Sequence, residues 1–255
     1  MTPDMFSLRG KAVIVTGGSR GIGAALCVAF AEAGADVAVV SRKVEKCEAV
    51  AVQVRAKGAK AIAIGANVGK PEDCARVVEE TAKAFGKIDV LVNNAGTNPA
   101  FGFGVDCSND AFDKIFAVNV KGPFMLVKQV VPHMQAVGGG AIVNVASVAG
   151  FVPGPMIGVY SVSKAALIHL TKMFAKELGM HGIRVNAVAP GLVKTDFSRA
   201  LWEADEMVKD FLGRQPIQRI AEPQDLCGAV LFLASPASAM MTGSVVVVDG
   251  GQLTA

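Results

Sequence analysis

The sequence predicts an α/β fold: a doubly wound parallel sheet of about seven strands with helices on both faces. Three observations predict it. Short Val- and Ile-rich runs alternate with longer helical patterns along the whole chain. The runs are apolar throughout, as in strands buried on both faces. A glycine-rich turn, Thr16-Gly-Gly-Ser-Arg-Gly-Ile-Gly23, links the first such run to the first helical pattern.

Ala12–Thr16 reads as the first strand and Ile22–Ala33 as a helix ended by Gly34. Asp36–Ser41 is the second strand. Val44–Lys57 is a helix stopped by Gly58, and Ala59–Gly65 is the third strand. Pro71–Phe85 opens with proline at a helix N-terminus, where the missing N–H costs little. Ile88–Asn93 is a strand, Asn109–Ala136 one long helix, Gly140–Ala146 a strand and Val159–Met180 a helix. Ile183–Ala189, helix Pro223–Ala234 and Ser244–Val248 complete the alternation. Right-handed crossovers turn such a series into a Rossmann-type sheet. Composition does not break anywhere, so residues 1–255 are expected to form a single domain. Gly191–Ala221 is irregular and carries Phe197, Leu201, Trp202, Met207 and Phe211 among charges. An insertion after a strand's C-terminal end is placed to cover a ligand. The plainer alternative is an amphipathic helix pair packed as core or at a subunit contact.

Composition excludes several classes. The chain has 255 residues, 52% of them hydrophobic, and a formal charge of only +3, with no basic run to track a phosphate backbone. One Trp and one Tyr leave few platforms for stacking bases, so no nucleic-acid partner is expected. The five cysteines form no Cys-x-x-Cys pair and the three histidines are scattered, so no metal site is expected. Reduced, buried thiols fit a cytoplasmic setting. The N-terminus lacks a signal-peptide pattern, the C-terminus is no peroxisomal address, and no apolar run is long enough to span a bilayer, so no membrane partner is expected.

Two stretches carry chemistry. Gly17, Gly18, Gly21 and Gly23 permit close approach of backbone to ligand, and the helix starting near Gly21 aims unpaired N–H groups at it, which suits a pyrophosphate. After the second strand comes Ser41-Arg42-Lys43, with no carboxylate to hold a ribose 2′-hydroxyl. Arg42, with Ser41 and Arg20, can instead hold a 2′-phosphate, which favours NADP(H) over NAD(H). Tyr160 and Lys164 stand four apart, on one helix face, with Ser147 upstream. A free phenol titrates near ~10, and the ammonium is expected to lower it by roughly 1–3 pH units. Val148, Phe151, Val152, Met156, Ile157 and Leu192 flank these positions, and Phe197 and Trp202 join them from the insertion. That lining suits an apolar ketone or aldehyde.

Thr16–Gly23, Asn93-Asn-Ala-Gly96, Asn119, Ser147, Tyr160-x-x-x-Lys164 and Pro190-Gly191 occur in the order found in the short-chain dehydrogenase/reductase family. The resemblance spans nearly the whole chain. Asn67-Val-Gly-Lys70, Asn98-Pro99 with Phe101-Gly102, Gly191–Thr195, Phe197–Arg199 and Leu201-Trp202 make it similar to NADP(H)-dependent carbonyl and retinal reductases of the dehydrogenase/reductase member 4 type, without their peroxisomal tail. The resemblance implies Tyr160 as general acid/base and Lys164 as its modulator and a ligand of the nicotinamide ribose. It implies Ser147 as hydrogen-bond donor to the substrate and Asn119 as holder of a proton-relay water. Cofactor contacts are implied at Gly17, Ser19, Arg20, Gly21, Ile22, Gly23, Ser41, Arg42, Asn67, Val68, Asn94, Ala95, Gly96, Pro190, Gly191, Val193 and Thr195, besides Tyr160 and Lys164. Substrate contacts are expected at Ser147, Tyr160, Val148, Met156, Leu192 and Trp202. Asn67 replaces the family's usual aspartate, so the adenine contact there carries no charge. A homotetramer is implied. The expected function is hydride transfer between NADP(H) and a small carbonyl or alcohol. A 3-oxoacyl-carrier-protein reductase, marked by a basic patch around Lys128, Arg184 or Arg199, and a non-catalytic NADP(H)-binding scaffold are the alternatives.

Overall fold

Seven parallel strands make one sheet in the order β3-β2-β1-β4-β5-β6-β7. They are β1 (Ala12–Thr16), β2 (Asp36–Ser41), β3 (Ala61–Gly65), β4 (Val90–Asn93), β5 (Gly140–Val145), β6 (Ile183–Pro190) and β7 (Val245–Val248). This computed structural model describes residues 4–154, 156–203, 205–213 and 215–254, without the side chains of Asp4, Asp205 and Met207. The terminal residues read for targeting signals (Met1 to Pro3, and Ala255) and the Met207 side chain of the insertion therefore lie outside the described residues.

The helices are α1 (Gly21–Glu32), α2 (Val44–Ala56), α3 (Pro71–Phe85), α4 (Asn109–Phe116), α5 (Gly122–Ala136), α6 (Gly158–Leu178), α7 (Arg199–Trp202), α8 (Asp205–Gly213) and α9 (Cys227–Ala234). Successive strand residues feed opposite layers. Val13, Val15, Val37 and Val39 pack with Leu26 and Phe30 of α1, Val54 of α2 and Val230 of α9. Ile14, Ala38 and Val40 pack on the other face with Val77 of α3, Leu126 of α5 and Phe174 of α6. Covering both faces is why the strands read as unbroken apolar runs. Cys27, Cys47 and Cys74 lie within these layers as free thiols, and Cys107 and Cys227 are also free. No helix among the described residues is long and apolar enough to cross a membrane.

The long helix expected over Asn109–Ala136 is interrupted. Ala117–Lys121 forms a π-helical turn between α4 and α5. Asn119 sits in it, fully buried, and trades hydrogen bonds with the backbone of Thr97. Single π turns inside α-helices are often found at functional sites.

Asp89 ties β4 to β1. Its carboxylate accepts from the Ala12 amide and the Lys11 ammonium, both at 2.9 Å, with Lys87 at 3.3 Å. Burial pushes this carboxyl up. The hydrogen bonds from Lys11 and Ala12 and the two lysine charges outweigh that and hold it below its ordinary value. A depressed carboxylate stabilises the fold above its unfolded pKa of about 3.9 and loses that contribution as pH falls through the folded value. Asp89→Asn is expected to cost about 1–3 kcal/mol at pH 7. In urea unfolding the gap between variant and wild type should narrow steadily below pH 4; a constant gap would reject the charge as its source.

Candidate active site

The strand order reverses between β1 and β4, and ligands of such sheets bind beyond the strand ends at that point. Thr16 builds the site there. Its hydroxyl donates to the Val92 carbonyl at 3.2 Å and accepts from the amides of Asn94 and Ala95 at 3.0 and 3.1 Å. Asn94 Nδ2 donates in turn to the carbonyls of Thr16 (2.9 Å) and Gly17 (3.2 Å). The glycine turn is thereby bolted to the segment after β4. A Cβ at Gly23 would stand 2.2 Å from the Gly17 oxygen, and one at Gly17, whose φ is +65°, would stand 2.8 Å from Asn94 Nδ2. No side chain fits at either position. Helix α1 begins at Gly21 with no side-chain cap and no acidic residue in its first turn. Its free N–H groups and dipole end fit an anion such as a pyrophosphate.

At the far end of the turn, Ser19 Oγ meets Ser41 Oγ at 2.8 Å. Arg42 lines the cleft, is exposed, and has no ion-pair partner among the described residues. Arg20 also lines the cleft and pairs with Asp196 of the 191–221 segment at 3.3 Å. Asn67 folds into a local turn, its Oδ1 accepting from the Gly69 amide at 3.1 Å. The amide NH2 of Asn67 is thus the less committed end of the side chain.

Ser147 leaves β5 and caps the short turn Val148–Gly150, accepting from the Ala149 amide at 3.1 Å. Its hydroxyl also lies close enough to Tyr160 of α6 to favour the phenolate. One turn further along α6, Lys164 is 3% exposed and donates to the Val145 carbonyl at 2.7 Å. Its Nζ stands 5.6 Å from the centre of the tyrosine ring. The four-residue spacing therefore does place both groups on one face. The expected lowering of the phenol is corrected by the structure. Tyr160 keeps part of its surface open to the cleft, yet burial pushes its phenol up to about 12, and Ser147 offsets only part of this. Burial also brings Lys164 down to about 8. Desolvation is the largest cause at both groups.

The cleft between these ends has a volume of about 570 Å3. The expected cofactor positions Gly17, Ser19, Arg20, Gly21, Ile22, Gly23, Ser41, Arg42, Asn67, Val68, Asn94, Ala95, Gly96, Pro190, Gly191, Val193 and Thr195 all line it, as do Ser147, Val148, Tyr160, Lys164 and Leu192. Three expected residues do not. Asn119 lies beneath the floor, with Nδ2 also donating to Ser163 Oγ at 3.0 Å. Met156 turns its backbone to the Gly102 amide at a φ of 63°. Trp202 packs its ring under Lys194 and donates from Nε1 to the Thr195 carbonyl at 2.8 Å.

The insertion and other segments supply those walls. Phe101, Phe197, Leu201, Phe211 and Gln252 line the cleft, as does the cation Lys114. Only the aromatic and apolar content of 197–211 hinted at this in the sequence. A buried chain, Asn93 Nδ2 to Asn144 Oδ1 (2.9 Å) and Asn144 Nδ2 to Thr171 Oγ1 (2.8 Å), links three elements behind the site and has no sequence signature.

The glycine cradle at the sheet's reversal and the Ser147–Tyr160–Lys164 group beside it form one continuous cleft, the arrangement of a nicotinamide-dependent oxidoreductase. Comparison with known proteins gives that class its family. Residues 17–252 match the family described as enoyl-(acyl carrier protein) reductase. The chain is 43% identical to dehydrogenase/reductase SDR family member 4 of Homo sapiens over 247 residues, covering 96% of this chain and 88% of that protein. It superposes on 7α-hydroxysteroid dehydrogenase complexed with NADH and 7-oxo glycochenodeoxycholic acid with a TM-score of 0.94 at 34% identity, covering 98% of each chain. A gluconate 5-dehydrogenase from Burkholderia cenocepacia J2315, in complex with NADP and tartrate, gives 0.94 at 34% identity, covering 99% of this chain and 98% of that one. The chain belongs to the short-chain dehydrogenase/reductase family.

Proposed function

We propose that the protein is an NADP(H)-dependent carbonyl reductase and alcohol dehydrogenase acting on small, largely apolar ketones or aldehydes. The observation that carries this reading is the enclosure of Ser147, Tyr160 and Lys164 at one end of a cleft whose other end is a glycine cradle. When bound, the nicotinamide supplies the hydride in reduction and takes it up in oxidation. Tyr160 gives its proton to the carbonyl oxygen as charge develops there, or takes one from the alcohol. Ser147 donates a second hydrogen bond to that oxygen. Lys164 holds the ribose hydroxyls, and its ammonium opposes the burial that keeps the phenol protonated. Its value of about 8 lets it exchange a proton near neutral pH. Asn119, beneath Thr97, shapes the π turn through which a relay water reaches Lys164.

Residues 191–221 serve as a substrate lid. The ends of this excursion are drawn together by a bridge between Val193 and Ala221, and Phe197 and Phe211 line the cleft. Phe101, Phe197 and Phe211 support an apolar substrate. So does the similarity to an enzyme seen with a 7-oxo steroid. The carrier-protein alternative is less well supported. Arg184 is spent on the carbonyls of Leu233 and Ser235 and on Ser238, and Arg199 is paired with Asp196 at 2.6 Å. Lys128 lies over Phe124. The three do not make a docking patch. A scaffold without catalysis is disfavoured by the convergence of tyrosine, lysine and serine. The exposed apolar side chains Phe112, Phe124, Val162 and Val247 support assembly into a homotetramer, and free thiols suit a cytoplasmic setting.

The lack of a carboxylate after β2, and the unpaired Arg42, favour NADP(H) over NAD(H). Arg42→Ala is expected to weaken NADPH about tenfold or more while leaving NADH within about twofold, because one charge-assisted bond to a phosphate is worth about 1.5–3 kcal/mol. Titration of both cofactors into both proteins checks this; equal loss for the two would reject the assignment. A panel of ketones and aldehydes followed at the nicotinamide absorbance tests the activity itself.

A further inference from the structure

The lid places one aromatic ring on the catalytic tyrosine. Phe197 and Tyr160 have ring centres 5.8 Å apart, inclined at 46°. Tilted pairs at this separation are favourable aromatic contacts. Phe197 is 50% exposed and lines the cleft. Its backbone is held firmly for so exposed a residue. Thr195 and Ser198 cap the turn on either side of it in a reciprocal pair. Trp202 Nε1 bonds the Thr195 carbonyl, and the Thr195 methyl packs 3.1 Å from where a side chain on Gly21 would start. The turn that carries the ring is thus tied to the glycine cradle, and the ring itself meets α6 at Tyr160.

We propose that Phe197 is a positioning residue for Tyr160: carried by the lid, its ring covers the tyrosine, fixes its plane and keeps water off the phenol. The inference rests on Tyr160 acting as the proton donor and acceptor. Closing the lid then does more than shape a pocket. It sets how tightly the tyrosine holds its proton, so reduction is served by a closed lid and a protonated phenol. The charged groups lining the same cleft are Lys164, Lys114, Arg42, Arg20 and Asp196. Among these, Lys164 meets the tyrosine ring, while Arg20 and Asp196 pair with each other at a surface that leaves both about half exposed. Removing the Phe197 ring leaves all of them in place and admits water, which favours the phenolate.

The chain has a single tyrosine, so its phenol can be followed without assignment. Protein labelled with 13C in the tyrosine ring is titrated by NMR from pH 7 to 10.5, with Trp202 fluorescence reporting that it stays folded. Burial holds the wild-type phenol high, so little phenolate is expected across this range. In Phe197→Ala the phenolate fraction within this range should rise about tenfold, the rise that a midpoint about one pH unit lower produces. Phe197→Leu, which keeps an apolar cover, should stay close to wild type. The pH limb of kcat for alcohol oxidation should move the same way, with the NADP+ affinity unchanged. An unchanged or smaller phenolate fraction in Phe197→Ala overturns the proposal, as does a kcat loss equal at all pH values. Full activity in Tyr160→Phe would instead overturn the underlying role of the tyrosine, a different result in a different variant.

Discussion

Tyr160→Phe is expected to lower turnover about 10²–10⁴-fold while NADPH binding stays within about twofold of wild type. The substitution removes one oxygen and leaves the ring, so the contacts with Phe197 and Lys164 survive. Lys164 keeps its bond to the Val145 carbonyl, which does not involve the phenol. Ser147 keeps its capping bond to Ala149. What is lost is the phenolic proton; the Ser147 hydroxyl remains, and a serine hydroxyl is a far poorer acid. Stopped-flow hydride transfer and a separate binding titration divide the two effects. Residual activity above about one tenth would mean that proton transfer runs through another group.

Gly23→Ala is expected to have the second largest effect, and for a geometric reason. The added methyl would start 2.2 Å from the Gly17 carbonyl oxygen and 2.5 Å from Asn94 Nδ2. Both neighbours are held: Gly17 by the turn and Asn94 by its bonds to Thr16 and Gly17. Since a backbone atom must move, the overpacking should cost about 1–3 kcal/mol of stability. The same movement distorts the cradle, so affinity for NADPH and NADH alike should fall at least about tenfold. This common loss contrasts with the selective one expected for Arg42→Ala. Calorimetric melting and cofactor titration check the pair of effects; a normal Tm with normal affinity would show that the cradle can open.

Much of this architecture was legible because it is local. Ala12–Thr16 and Asp36–Ser41 are apolar on both faces, and a strand of that kind has to be central and covered. Gly17, Gly21 and Gly23 mark a turn in which only glycine fits. The spacing of Tyr160 and Lys164 fixes their common face through the helical repeat alone. Less was legible where the partner is remote. Thr16 reads as the last residue of a strand, yet it bonds Asn94 and Ala95 almost eighty positions away. Arg20 belongs to the glycine turn, yet it pairs with Asp196, 176 residues along. Trp202 and Met156, apolar and well placed in the chain, face away from the cleft, while Phe101, Phe211 and Gln252 enter it from three separate segments.

The sequence by itself determined the order of strands and helices, the place of the glycine cradle and the identity of the serine, tyrosine and lysine, since each depends on spacing along a few turns of backbone. Only the tertiary structure decided the π turn at Asn119, the pairing of Arg20 and the protonation of the phenol. A nearby lysine in the sequence argues for a more acidic tyrosine, but the field that a charge exerts depends on what else it binds and on how much water remains. Burial is the largest cause at both Tyr160 and Lys164, although the tyrosine keeps part of its surface open to the cleft. Desolvation is a property of the assembled neighbourhood, and no stretch of chain carries it alone.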